Sequence, residues 1–262
     1  MPDPAVAVVA PPLAPVSPGA TPGVRAVHFT LQGKGGVGKS LVSSLLAQYF
    51  KRAGGPVHCV DTDPVNQTFS NYKALQASHV RILAGARIDE RAFDQLMERL
   101  LHEDGIFVVD NGASSFIPLS NYLIENDAIA MLADAGRDVF IHCIVTGGQG
   151  MVDTMAGLDA LATQTSTTNL VVWLNEFFGP IEHNGKGFEQ SRVYLQHQTK
   201  IRGIVRIPRR NPDTFGRDIE DMSAAHLTFD EVFESPRFSI MAKQRLKTVQ
   251  REVDGQLDLL QL

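Results

Sequence analysis

The stretch Leu31-Gln32-Gly33-Lys34-Gly35-Gly36-Val37-Gly38-Lys39-Ser40 decides the fold. From Gly33 to Ser40 it fits G-x-x-x-x-G-K-[ST], between an apolar run at Ala26–Gln32 and a helix-period segment at Lys39–Arg52. The glycines let the backbone bend so that the N–H groups from Gly33 through Val37 to Ser40 point at one anion. The start of the following helix adds its partial positive charge. Lys39 is placed to neutralise β- and γ-phosphate oxygens, and the Ser40 hydroxyl can ligate Mg²⁺. A chance match in a chain of this length is on the order of one in a hundred. The stretch therefore reads as a loop for nucleotide phosphates between a strand and a helix.

Outward from the loop, apolar runs alternate with helix-period segments. Val57–Asp61, Val80–Leu83, Ile106–Asp110, Val139–Val145, Leu170–Asn175 and Ile201–Ile207 read as strands. Asp89–Leu101, Ile117–Ile124, Ala128–Ala135, Met151–Thr163, Phe188–Gln196 and the tail from Ser239 read as helices. This alternation predicts an α/β fold with a mainly parallel central sheet flanked by helices, in one domain over residues 25–262. In such sheets ligands bind beyond the carboxyl ends of the strands.

Residues 1–24 differ. Seven of the 14 prolines fall between Pro2 and Pro22, and Asp3 is the only charge there. Such a Pro/Ala/Val tract favours extended, unpacked chain, so these residues read as a disordered leader. No apolar run reaches the ~18 residues that a membrane-spanning helix needs. The leader lacks the basic start of a secretory signal, and Cys59 and Cys143 lie in apolar, strand-like runs. Both points predict a cytoplasmic protein with reduced thiols. No Cys/His spacing suggests zinc, and the formal net charge of −5 does not advertise nucleic-acid binding by the whole chain.

Acidic residues close two of the strands. Asp61 and Asp63 end the second, in Val60-Asp61-Thr62-Asp63-Pro64, and Asp110 ends Ile106–Asp110. A carboxylate at a strand end facing phosphates suits a magnesium partner or a holder of the attacking water. As a plainer alternative, Asp63-Pro64 starts a turn and Asp61 caps a helix.

Lys34-Gly35-Gly36-Val37-Gly38-Lys39-Ser40 resembles the deviant phosphate loop of the ParA/MinD superfamily of P-loop ATPases. The resemblance implies ATP with Mg²⁺, and an ATP-dependent homodimer in which Lys34 reaches the partner's phosphates. It implies catalytic roles for Lys34, Lys39 and Asp63, with Asp63 positioning water and Asp61 joining Ser40 and Asp110 in the magnesium shell. It also implies that Asn175 bonds the adenine edge and that Pro208, in Arg206-Ile207-Pro208, borders the base. The sequence departs from the family after Asp110, where Asn111-Gly112-Ala113-Ser114-Ser115 replaces D-x-P-P, and at Glu176, where arginine is usual. Leu31–Ser40, Asp61–Asn66, Asp110–Leu119, Val145–Gln149, Val172–Asn175, Gly179–Glu182 and Gln244–Lys247 resemble the TraL and StbB-like family of plasmid transfer regions. That resemblance implies a role in conjugal transfer or plasmid stability, with a partner from the transfer or partition apparatus.

Arg192, Lys200, Arg202, Arg206, Arg209, Arg210 and Arg217 form a basic stretch. It admits non-specific DNA binding through phosphates, against the alternative of a solvated face. In the tail, Ile240, Leu246, Val249, Val253, Leu257 and Leu260 recur at helical steps. The interspersed acids favour core packing or a partner contact over a membrane anchor. Because every site motif begins after the leader, deleting residues 1–22 is expected to leave nucleotide affinity unchanged. Titration of a fluorescent nucleotide checks this, and lost binding would show that the leader belongs to the folded unit.

Overall fold

The computed structural model describes residues 25–84 and 87–262; the leader expected to be disordered lies outside the described residues. In chain order the elements are β1 (Ala26–Thr30), α1 (Lys39–Ala53), β2 (Val57–Asp61), β3 (Ser78–His79), β4 (Leu83–Ala84), β5 (Arg87–Ile88), α2 (Ala92–His102) and β6 (Ile106–Asp110). Next come α3 (Phe116–Glu125), α4 (Ala128–Asp134), β7 (Asp138–Thr146), α5 (Met151–Gln164), β8 (Leu170–Asn175), β9 (Glu182–His183), β10 (Lys186–Gly187) and α6 (Arg192–His197). The chain ends with β11 (Ile201–Ile207), α7 (Arg217–Ala224), α8 (Phe229–Glu234) and α9 (Ile240–Leu260).

The seven-stranded sheet has the order β11-β8-β7-β1-β6-β2-β3, and every pairing in it is parallel. β1 lies at the centre, so the loop at residues 33–40 leaves the middle of the sheet's carboxyl edge. The strands are buried on both faces, which is why they read as near-continuous apolar runs. Alternate residues of β1 feed two cores. Ala26 packs with α1 and α9, and Val27, Phe29 and Leu31 pack with α2, α3 and α5.

One strand is misplaced in the sequence reading. The third strand is Ser78–His79, not Val80–Leu83. Val80 still donates its N–H to Asp61 O at 2.9 Å, but Leu83 has moved into a short antiparallel hairpin with Ile88. Edge pairing of two residues carries no apolar run of its own, so the sequence signal there was burial of Ile82 rather than a ladder. Part of the expected loop at Phe178–Gly187 forms the β9–β10 hairpin. The segment between Pro208 and Ser239, which carried no periodic signal, holds α7 and α8. Thr228-Phe229-Asp230-Glu231 starts α8 with a complete capping box, a signal legible in the sequence.

α9 settles the tail as core packing. Leu246, Val249, Val253 and Leu257 are buried, whereas Ile240 is 85% exposed. Leu260 packs directly over Gly203 of β11, where a Cβ would meet Leu260 Cδ2 at 2.1 Å unless that side chain moved. Cys59 and Cys143 are buried free thiols, each pushed up to about 12 by burial.

Beneath the loop the core holds a polar chain. Trp173 Nε1 donates to His142 Nδ1 at 2.9 Å, which leaves the His142 proton on Nε2 to donate to His28 Nδ1 at 3.0 Å. Burial lowers His142 to about 3 and holds His28 well below the ordinary range, with His142 adding to the effect on His28. Both rings stay neutral in the fold, whereas an unfolded histidine protonates near ~6.5. Their contribution to stability is therefore complete above that pH and is lost as pH falls toward the folded values. In urea unfolding between pH 6 and 4, His142→Gln should lower the dependence of stability on pH by about 1.4 kcal/mol per unit, one proton's worth. An unchanged slope would contradict the neutral pair.

Candidate functional site

Positive φ angles at Gly36 (73°) and Gly38 (100°) turn the loop back onto the start of α1. The first turn of α1 carries no acid, so its N–H groups remain for an anion; Lys51 and Arg52 sit in the last turn, where they suit the helix dipole. Gly33 packs on the Phe116 ring, with a Cβ there only 2.9 Å from it. Behind the loop, the buried Gln32 carboxamide donates to Ile144 O at 2.8 Å and Thr154 O at 3.2 Å, tying the loop's root to β7 and α5.

Both loop lysines are held within the chain. Lys39 is buried, and its Nζ donates to Lys34 O at 2.8 Å. Burial holds its pKa below the ordinary lysine value, against the opposing pull of Asp110 and Asp63. Lys34 Nζ is 2.7 Å from Asp153 Oδ2 of α5, an ion pair with both partners about half exposed.

The carboxylates converge at the ends of β2 and β6, where Asp61 and Asp110 are paired in register. Asp110 is 1% exposed. It accepts from Ser40 Oγ at 2.6 Å and from Ser43 Oγ at 2.8 Å, two serines on one face of α1. Burial is the largest influence on its carboxyl and Asp61 adds to it; together they hold it at about 7 despite the serine bonds and Lys39. Asp61 accepts from Asp63 N at 2.9 Å through one oxygen, and from Ser70 N at 2.9 Å and Ser70 Oγ at 3.0 Å through the other. Its carboxylate thus anchors the loop after β2. Asp63 accepts from Val65 N at 2.9 Å and Asn66 N at 3.1 Å, starting the turn that the plainer reading allowed, while it lines the phosphate-side cavity.

Two cavities meet over the loop. One, of about 310 Å³, is lined by Gly35, Lys39, Ser40, Asp63, Asn66 and Tyr72. The other, of about 300 Å³, has apolar walls of Leu41, Phe177, Phe178, Ile207, Pro208 and Ile219. Gly36, Gly38, Leu41 and Ser223 line both, so one ligand can span from an apolar slot to the phosphate loop. Asn175 and Pro208 both border the apolar slot. The Asn175 amide donates to Val37 O at 3.0 Å and accepts from Phe177 N at 3.2 Å, so each side keeps one hydrogen-bonding position for a base. A more open groove of about 800 Å³ beside α5 and α6 contains none of the loop residues.

The donor chemistry fits a small divalent cation. The Asp110 carboxylate is costly to ionise where it sits, and the Ser40 hydroxyl is already on it. Among the described residues no cluster of three or more His, Cys, Asp or Glu side chains could cage an ion alone. An ion here depends on phosphate oxygens to complete its shell.

Sequence reasoning passed over several residues in this site. Ser43 had a readable signal, its spacing of one turn from Ser40. Asp153, Phe177 and Phe178 had none. The basic stretch separates into local contacts: Arg206 with Glu189, Arg210 with Glu252 and the Phe215 ring, and Arg192 with Asp159. Lys200 donates to Ala162 O and Thr165 O, and Arg202 to Leu260 O.

The raised carboxyl of Asp110 has a testable sign. Its folded value lies above its unfolded value, so its ionisation destabilises the fold as pH rises through about 7. Without nucleotide, Asp110→Asn is expected to melt at a higher temperature than wild type at pH 8. The gap should narrow as pH falls below 6. A variant less stable than wild type at pH 8 would contradict this.

A family model described as the CobQ/CobB/MinD/ParA nucleotide binding domain matches residues 29–234. Two curated proteins from Escherichia coli, each named Protein TraL, are 47% and 46% identical over 233 residues, covering 88% of this chain and 97% of each relative. Among solved structures, the MinD cell division protein of Aquifex aeolicus is 16% identical, with a TM-score of 0.49 over 88% of this chain and 97% of that one. A ParA family ATPase from Chlorobium tepidum TLS is 12% identical, with a TM-score of 0.47 over 86% and 97%. With the phosphate loop at the centre of a parallel sheet and most of its length matched, the chain belongs to the CobQ/CobB/MinD/ParA nucleotide-binding domain family.

Proposed function

We propose that the chain is an ATP-driven switch of plasmid conjugal transfer that pairs face to face with a second copy and hydrolyses ATP slowly. The observation that carries the reading is that Lys39, Ser40 and Asp63 line one end of the paired cavities, with the buried Asp110 bonded to Ser40 behind them. The similarity to TraL supports the transfer role.

The apolar slot takes the base, with Asn175 and Pro208 at its edge. The amides from Gly33 to Ser40 take the phosphates. Lys39 leaves the Lys34 carbonyl for the β- and γ-oxygens. Magnesium, held by Ser40 and Asp110 with Asp61 behind them, supplies charge neutralisation at the phosphates. Asp63 orients the attacking water.

The dimer reading rests on the face around the loop. Val65 after β2, Ile117 after β6 and Val152 after β7 are 70%, 65% and 72% exposed at the same edge of the sheet. Lys34 stands among them, its partner Asp153 also exposed. An exposed pair of this kind is worth ~0–1 kcal/mol, so Lys34 exchanges it readily for a partner's phosphate. A protein of the transfer apparatus is the favoured partner over DNA, because Arg202, Arg206 and Arg210 of the basic stretch contact acids or a carbonyl of their own chain.

Lys39→Ala is expected to lose ATP affinity by about 100-fold or more. Lys34→Ala should keep affinity within a few-fold yet fail to dimerise when ATP and Mg²⁺ are added. Isothermal titration and multi-angle light scattering read the two effects separately. An ATP dimer of normal strength in Lys34→Ala refutes the trans role. Donor cells carrying only the Lys39→Ala allele should transfer the plasmid poorly; normal transfer refutes the assigned process.

A further inference from the structure

Asn111 follows Asp110 at the exit of β6 and is 1% exposed. Its amide touches two hydroxyls, each fully buried. Ser115 Oγ lies 2.6 Å from Oδ1 and Thr62 Oγ1 lies 3.1 Å from it. Thr62 belongs to the loop after β2, and Ser115 to the loop after β6. Each hydroxyl has a second acceptor in reach: Thr62 Oγ1 is 3.0 Å from Asp110 O, and Ser115 Oγ is 3.2 Å from Thr62 O. The amide nitrogen of Asn111 is buried without a partner.

A hydroxyl has one proton to give. Turning the Asn111 amide by half a rotation places its nitrogen toward both hydroxyls. Asn111 then donates to Thr62 Oγ1 and Ser115 Oγ, Thr62 donates to Asp110 O, and Ser115 donates to Thr62 O. Every donor of the trio is then used, and the atom left without a partner is an acceptor oxygen instead of a donor nitrogen. The result is a closed hydrogen-bonded ring that joins the two loops beside the phosphate cavity.

The ring bears on Asp63 through Gly112. A Cβ on Gly112 would come within 2.5 Å of Asp63 Cγ, so the Gly112 backbone is the wall against which Asp63 rests. Asn111 immediately precedes that wall, and Thr62 immediately precedes Asp63. We propose that Asn111 is a positioning residue: it clamps the loops after β2 and β6 together and so fixes Asp63 for its work on the attacking water. This rests on the hydrolysis reading above. The clamp itself is a statement about the two loops and is testable without turnover.

The test compares wild type with Asn111→Ala, Thr62→Val, Ser115→Ala and the double variant Asn111→Ala/Thr62→Val. Single-turnover hydrolysis should fall about 10-fold in Asn111→Ala and in Thr62→Val, with ATP affinity changed less than about 3-fold. The double variant should be no slower than the slower single, because both changes open one ring. Multiplying losses, or a loss of affinity with normal turnover, overturns the proposal. If Asn111→Ala does not fold, Thr62→Val and Ser115→Ala each remove one arm and give the same reading.

Amide hydrogen exchange in the nucleotide-free protein separates the clamp from the hydrolysis reading. Thr62→Val should raise exchange across the gap, at residues 112–115, and Ser115→Ala at residues 62–66. Unchanged exchange on the far loop overturns the clamp whether or not ATP is hydrolysed. Wild type that binds ATP without hydrolysing it sinks the hydrolysis reading and leaves the clamp to be decided by exchange alone.

Discussion

A carboxylate sealed at the end of β6 accepts hydrogen bonds from two serines on α1. That contact, Asp110 with Ser40 and Ser43, sets the docking of α1 on the sheet. It therefore sets where the loop before α1 presents its amides. The Asp110 carbonyl also takes the Thr62 N–H at 2.9 Å, so the same residue steers the loop that carries Asp63. Burying an acid this deeply is costly, as its value near 7 records. A core built only for stability would place an apolar residue there. Functional sites commonly hold such locally unfavourable groups, which a ligand then relieves.

The cations around this centre are held by contacts that cost little to exchange. Lys39 rests on a loop carbonyl, and Lys34 rests on an exposed aspartate. Lys39 has a neutral carbonyl as its acceptor and Lys34 a half-exposed carboxylate, whereas a polyphosphate would offer several charged oxygens to each. The loop is thus preorganised in backbone and adjustable in side chain. The framework behind it is stiff, with Gln32 tying it to β7 and α5 and Asn175 tying it to β8. On the proposed dimer, binding would be expressed as side-chain exchange at the sheet's edge and carried to the exposed residues that follow β2, β6 and β7.

Legibility along the chain followed the physics of each signal. The parallel strands were readable because burial on both faces leaves unbroken apolar runs, as in Phe107-Val108-Val109 and Val171-Val172-Trp173. β3 was not, because its two residues pair at an edge and carry no pattern. In the basic stretch, linear proximity hides the pairing of several arginines. Glu252 lies 42 positions from Arg210, and Leu260 lies 58 from Arg202. α9 brings both of them alongside β11.

By itself the sequence determined the α/β class, the phosphate loop with Lys39 and Ser40, and the strand-end acids Asp61, Asp63 and Asp110. These are local facts: glycine conformations, helix starts and strand exits are written within a few neighbouring residues. Tertiary structure alone decided what those groups do to one another. It put Ser43 on Asp110, gave Lys34 to Asp153 across 119 positions, turned Asp61 inward to hold Ser70, and closed Thr62, Asn111 and Ser115 into one ring. Hydrogen bonds and ion pairs of that kind depend on distances of a few ångströms between residues far apart in the chain. Only the packing of α1, α5 and the sheet sets those distances.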